Sequence, residues 1–322
     1  MQEDLKKSID AKALEDKEIF MLVDGSAIVH RAYHAMPPFT TKEGVPTGAV
    51  YGFFSMILKL IQELNPAHIA VAFDRPKPTF RQQMYAGYQA QRPKVEGDLS
   101  DQFGMIIEIL KTAKIPTYAV DGYEADDIIG TISEKAKATG HLVYIITGDR
   151  DMLQLVNHKT KVLMPIKGIS EVKIFNEERV LEKYGVKPSQ IIELKALTGD
   201  ASDNYPGVAG IGPKTAANLI NKYGTVEEVY KNIGEIGTKN QNLGQKLIDG
   251  AEHAQMAHTL ATILTDVPFS YDFEDCSIKN LGVEELKAEL ERYEFRTLPK
   301  RIDEIFGNEK NSGDKKTQMK LL

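Results

Sequence analysis

The sequence predicts an α/β fold: a central, mostly parallel sheet with helices on both faces, followed by a helical C-terminal region. Three observations predict it. Continuous apolar runs of strand length, 19–23, 69–73 and 142–147, alternate with helical periodicity, as parallel strands covered on both faces require. Each run leads into acid: Asp24, Asp74, and Asp149 with Asp151. Beyond residue 175 the β-type runs stop, and helical patterns continue around a glycine-rich turn at 207–212. A chain of 322 residues can hold this as one large domain or two medium ones.

The composition is that of an ordinary soluble globular protein. No apolar run approaches membrane-spanning length and the N-terminus is charged rather than signal-like, so no membrane partner and a cytoplasmic location are expected. Cys276 is the single cysteine, which excludes a disulfide framework or a thiolate metal site and leaves it inert. The formal net charge of −6 argues against a nucleic-acid partner only as a whole-chain sum, because acids and bases are each clustered.

In chain order, residues 1–17 form a polar, helix-permissive extension, and the α/β core spans 18–175. Asp24-Gly25 turns the first strand into a helix. His30 and His34, four apart on it, invite a metal reading that the harder oxygen donors nearby outweigh. A loop at 37–44 precedes a helix over 47–64, which Asn65-Pro66 stops. The basic segment 75–100 follows strand-end Asp74. Between Arg75 and Lys94 it carries Arg75, Lys77, Arg81, Arg92 and Lys94, interleaves Phe80, Tyr85 and Tyr88, and contains no acid. Cations that attract phosphate beside rings that stack on bases suit single-stranded nucleic acid, and Pro76, Pro78, Gly87 and Pro93 predict a flexible segment that orders on substrate.

A short β-type run at 116–120 leads into Asp121–Gly130, which opens a helix through Thr139. Glu124 and Asp127 share one helix face, with Asp126 displaced around the axis. A helix start accommodates one or two acids for its dipole. The surplus joins the strand-end acids at the carboxyl edge of the sheet, where ligands of such sheets bind. Acids packed together repel unless cations neutralise them, and hard divalent ions bound through oxygen do so, with room for more than one.

Strand, turn and strand are expected over 161–175 around Gly168, then helices over 177–184 and 189–197, in a helical region spanning 176–306. Asp200 and Asp203 follow and face the same acidic site. Gly207, Gly210 and Gly212 permit a tight turn and close backbone approach. Pro213 suits a first helical turn, and Lys214 and Thr215 sit where free N–H groups would seat a phosphate. Residues 307–322 read as a disordered polar tail.

These residues together resemble the 5′-nuclease domain of bacterial DNA polymerase I, kin of the flap endonucleases, over roughly 18–305. The motifs are 23–25, 72–74, 124–127, 147–151, 199–204 and the helix-hairpin-helix at 207–217, all in order. The resemblance implies a PIN-like core with Asp24, Asp74, Glu124, Asp126 and Asp149 around one metal site. Asp127, Asp151, Asp200 and Asp203 would extend toward a second. It implies two or more Mg²⁺ ions, admits Mn²⁺, and admits K⁺ at the helix-hairpin-helix. Arg81, Tyr88 and Arg92 would act on the scissile phosphate and an unpaired base, with Arg75, Lys77 and Lys94 on the DNA. One position departs: Gln89 stands where the family commonly has lysine.

The expected activity is a Mg²⁺-dependent, structure-selective 5′ nuclease, a monomer acting on flapped or nicked DNA in replication and repair, in the bacterial cytoplasm at the nucleoid. A PIN-type ribonuclease shares the acid-edged core but not the hairpin or basic segment. A junction-binding protein without turnover has only Gln89 in its favour. The final Gln318-Met319-Lys320-Leu321-Leu322 resembles the pentapeptide by which proteins bind the bacterial sliding clamp, with Gln318 at a pocket rim and Met319, Leu321 and Leu322 in an apolar groove.

Overall fold

A computed structural model describes residues 18–92, 97–168 and 171–318. Strand β1 (Ile19–Asp24) feeds helix α1 (Gly25–Ala35), and α2 (Gly48–Leu64) returns to β2 (His68–Ala72). The basic segment carries α3 (Phe80–Met84) and leads to α4 (Gly97–Thr112). Then β3 (Thr117–Tyr118), α5 (Ala125–Ala138) and β4 (Leu142–Ile146) follow, and β5 (Thr160–Lys167) turns back as β6 (Glu171–Phe175). The six strands lie in the order β3-β2-β1-β4-β5-β6. All neighbours are parallel except β5 and β6.

Alternation within wholly apolar strands explains how both faces are buried. Ile19, Met21 and Val23 point to a core shared with α1, α2 and α4, while Phe20 and Leu22 point to a second core under α5. Asn65, in the left-handed conformation at φ 45°, ends α2 ahead of Pro66.

The helical region runs through α6 (Glu177–Tyr184) and α7 (Ile191–Thr198). A minimal ribbon of β7 (Gly199–Asp200) and β8 (Tyr205–Pro206) then leads to α8 (Pro213–Tyr223). Helices α9 (Val226–Lys231), α10 (Ile233–Lys239), α11 (Gln241–Asp249) and α12 (Ala251–Ala261) continue it, and their apolar faces join the α5-side core. The last two helices, α13 (Val283–Arg292) and α14 (Thr297–Gln318), cross back. Leu286, Leu290, Leu298 and Ile302 pack into the opposite core with α2 and α4.

Helix α14 runs through Gln318, where composition predicts disorder from Gly307. Gly307, Asn308, Asn311, Ser312 and Gly313 are weak helix formers, so local propensity does not account for this extension. No helix among the described residues is long and apolar enough to cross a membrane.

Candidate active site

The carboxyl edge of the sheet gathers most of the expected acids, each held by local backbone. Asp24 caps α1, accepting from the Ala27 N–H at 2.9 Å, and the buried Thr147 hydroxyl donates to its other oxygen at 2.6 Å. Asp74 accepts the Ala125 N–H at the start of α5 at 2.8 Å, which uses one of the helix's unsatisfied donors to join two motifs. Asp149 accepts the Asp151 N–H at 2.8 Å and orients that turn.

Their electrostatics show how closely they crowd. Burial, reinforced by Asp74, pushes the Asp24 carboxyl up to about 7. Burial also pushes Glu124 up to about 7, against the pull of Arg81. Asp126 is raised well above the usual carboxylate range by burial and then by Asp149, Asp24, Glu124 and Asp74. Asp149 is raised by burial, although Lys195 and Arg92 oppose this. These acids share one poorly solvated space and lack enough cationic charge to keep them all ionised. Together with Asp74 they form an oxygen-rich donor set that could hold a hard divalent ion.

A second acidic group adjoins the first. One oxygen each from Asp151, Asp200 and Asp203 lies within 4.8 Å of the others. The Lys195 ammonium, from α7, pairs with both Asp151 and Asp200. Burial opposes ionisation of Asp200, but Lys195 and the Ser202 donors hold it below its ordinary range. Sequence reading missed Lys195. The only signal was a lysine on the helix running into Asp200, and five residues of separation is not a standard helical pairing.

Three of the expected residues are engaged by the protein's own groups. Asp127 is fully buried and committed to protein donors. Its Oδ1 accepts from Arg81 Nη2 at 2.8 Å and the Leu264 N–H at 2.9 Å, and its Oδ2 accepts from Arg81 Nη1 at 2.7 Å and the Glu124 N–H at 3.1 Å. In this structure its oxygens serve that ion pair and two backbone N–H groups.

Arg81, expected on the scissile phosphate, is 2% exposed. Besides Asp127 it donates to Glu124 and to the Leu260 and Thr262 carbonyls, leaving no donor for DNA. Tyr88 is also buried, stacked on Tyr205 at 6.2 Å, with its hydroxyl reaching Glu124 at 3.1 Å and Asp203 at 3.2 Å. It braces acids here and does not offer its face to a base. These anchors fix residues 79–92 against the core, where composition predicts a flexible segment.

Arg92 remains on the rim, half-exposed, with Nη2 donating to Asp203 at 2.6 Å. Arg75 and Lys77 are solvent-facing and share Asp121. Lys94 lies outside the described residues, as do Met319, Leu321 and Leu322; Gln318 ends α14 and its side chain is not described. Gln89, at φ 54°, donates its N–H to the Asp203 carbonyl at 2.8 Å.

The glycine-rich turn joins α7 to α8, with Val208 and Ile211 buried beneath it. A Cβ on Gly207 would meet the Gly199 nitrogen at 2.2 Å, so the turn lies directly on the Asp200 strand. Gly210 takes φ 77°. Gly212 caps α8 without a side-chain acceptor, and Lys214 is exposed in the first turn, with Thr215 partly so.

An acid-edged α/β sheet continued by a helix-hairpin-helix defines a nuclease class. The family models for the 5′-3′ exonuclease N-terminal resolvase-like domain and C-terminal SAM fold match residues 19–185 and 186–284. The chain belongs to the 5′-3′ exonuclease family and is a nuclease. It is 39% identical over 285 residues to a 5′-3′ exonuclease of Aquifex aeolicus, covering 88% of this chain and 95% of that one. It is 38% identical over 291 residues to DNA polymerase I of Bacillus subtilis, covering 90% of this chain and 33% of the polymerase. It thus spans about a third of the polymerase relatives. Among solved structures, the bacteriophage T5 5′-exonuclease with bound zinc matches with TM-score 0.63 and 24% identity, covering 86% of this chain and 98% of that one. The catalytic core of Rad2 with a DNA substrate matches at 0.56 and 21%, covering 90% and 91%.

The buried ion pair and the crowded acids make opposite predictions for stability. Asp127→Asn leaves Arg81 charged, buried and half-paired, and should destabilise by about 3–5 kcal/mol. Asp126→Asn relieves repulsion and should leave the urea midpoint unchanged or raised.

The raised carboxyls also set a pH dependence. Asp24 and Glu124, at about 7, lie above the ~4 of an unfolded chain, so the folded state keeps protons that the unfolded state has released. Their contribution is present at low pH and is lost as pH rises from about 4 to about 7. In chelator, the urea midpoint of wild type relative to Asp24→Asn should therefore fall across that window. A relative rise would contradict the crowding.

Proposed function

We propose that the chain is a Mg²⁺-dependent, structure-selective 5′ nuclease that hydrolyses phosphodiesters of flapped or nicked DNA in replication and repair. The observation that carries this is the convergence of Asp151, Asp200 and Asp203 beside Asp24, Glu124, Asp126 and Asp149, whose raised carboxyls outnumber the cations next to them. With Asp74, the latter group would hold one ion, and the former group would hold another.

Bound Mg²⁺ would supply activation of water, stabilisation of the leaving 3′ oxygen and relief of phosphate charge. The chain's own residues do the rest. Thr147 and the Ala27 and Ala125 N–H groups fix two carboxylates in place, so little reorganisation is needed. Arg92, on the rim beside Asp203, is the cation best placed to meet the scissile phosphate. Arg75 and Lys77 offer further phosphate contacts at the edge. Gly207, Gly210, Gly212, Lys214 and Thr215 would hold duplex through backbone N–H groups and the α8 terminus. K⁺ at the hairpin, a monomeric state, a cytoplasmic location at the nucleoid, and the sliding clamp as partner of 318–322 belong to the same proposal.

Cleavage of end-labelled flap DNA and a matched RNA, with and without Mg²⁺, tests the reading. DNA should be cut only with Mg²⁺ and the RNA left intact. Asp126→Ala should abolish cutting while keeping flap affinity, since cationic contacts supply much of the affinity. Normal turnover in that variant would remove the site assignment.

Gln89 gives a separate expectation. Gln89→Lys adds an ammonium to the segment whose backbone meets Asp203 and should speed single-turnover cleavage by roughly tenfold. If Lys77 or Lys94 already supplies that charge, Gln89→Lys will change little and removing that lysine will slow cleavage. Unchanged rates in all three variants would show that this segment contributes no charge to the reaction.

A further inference from the structure

The amino ends of the strands carry a second convergence of ligating side chains. Glu18 immediately precedes β1, His68 opens β2, and His141 immediately precedes β4. Because β1 lies between β2 and β4, these residues share the edge of the sheet opposite the acids. One ligating atom from each lies within 4.8 Å of the other two.

The surroundings fix two of the three ligands. Backbone hydrogen bonds hold the strand starts together, from the Leu142 N–H to the Glu18 carbonyl at 3.1 Å and from the Ala67 N–H to the Ile19 carbonyl at 2.9 Å. The two imidazole centroids are 5.1 Å apart, and the Phe273 ring packs against both, at 4.1 Å and 4.4 Å. His141 Nδ1 lies 2.8 Å from the Thr139 hydroxyl, and its Nε2 stands 3.4 Å from Glu18 Oε2. An imidazole oriented through one nitrogen and directed at a carboxylate through the other is arranged as metal-binding histidines are.

His68 supplies the independent observation. It is 6% exposed, and its Nδ1 has no hydrogen-bond partner. A buried polar atom without a partner is costly, and a cation bound at that nitrogen would offset the cost.

We propose that Glu18, His68 and His141 bind a borderline transition-metal cation of the zinc class, linking the amino ends of three adjacent strands. Two imidazoles and a carboxylate, with water completing a tetrahedron, suit Zn²⁺. Mg²⁺ prefers oxygen donors throughout, so the two imidazoles favour the zinc class over it at this edge.

The test uses untagged full chain with Mg²⁺ in excess, so that the acidic edge is saturated, and adds Zn²⁺ at micromolar concentration. Zinc should raise the melting temperature by several degrees and bind at one equivalent in calorimetry. Glu18→Gln changes an exposed side chain and should fold normally, yet weaken zinc binding by roughly tenfold or more, and His141→Ala should do the same. Asp126→Asn should bind zinc as wild type does. Co²⁺ gives a second readout, a tetrahedral visible absorption band present in wild type and lost in Glu18→Gln. Zinc binding that survives both Glu18→Gln and His141→Ala but is lost in Asp126→Asn would assign the ion to the acidic edge and overturn the proposal. So would the absence of zinc binding by wild type.

Discussion

A guanidinium without access to water must find all its partners inside the protein, and Arg81 does. It spends its donors on Asp127, Glu124 and the carbonyls of Leu260 and Thr262. Those partners come from the start of α5 and the end of α12, so one side chain joins the basic segment, the acidic helix and the helical region. Glu124 is the hinge of this arrangement. It belongs to the pair and also lies among the crowded acids, where burial raises it despite Arg81. A buried charge is costly unless its whole shell is satisfied, which makes this junction intolerant of partial substitution.

The same constraint separates the acids that look alike in sequence. Asp126 and Asp127 are neighbours, yet a helix turns them by about a hundred degrees. One therefore enters the space between Asp24 and Asp149, and the other turns inward to the arginine. Lys195 does for Asp151 and Asp200 what Arg81 does for Asp127, but in a more open place.

The sheet and its acid-bearing ends were legible because they depend on local pattern: an apolar run, a turn, an acid. The hairpin around Gly168 and helices over 48–64 and 177–184 follow from the same signals. The destinations of Arg81 and Tyr88 were not legible. A cation or phenol in a basic segment reads the same whether its partner is a phosphate or a carboxylate forty residues away. Only packing decides, and here it turns both inward. Glu18, His68 and His141 were equally invisible, since they meet only through sheet order and no spacing along the chain relates them.

The seam between Gly199 and Gly207 allows no side chain on either residue's near face. On one side of it the chain bears Asp200 and Asp203, and on the other the turn that leads into α8. Two backbones this close leave no room for a side chain between them, so the turn and Asp200 lie at one short offset. Under the proposed function, a duplex seated on the turn would meet the acids at that offset.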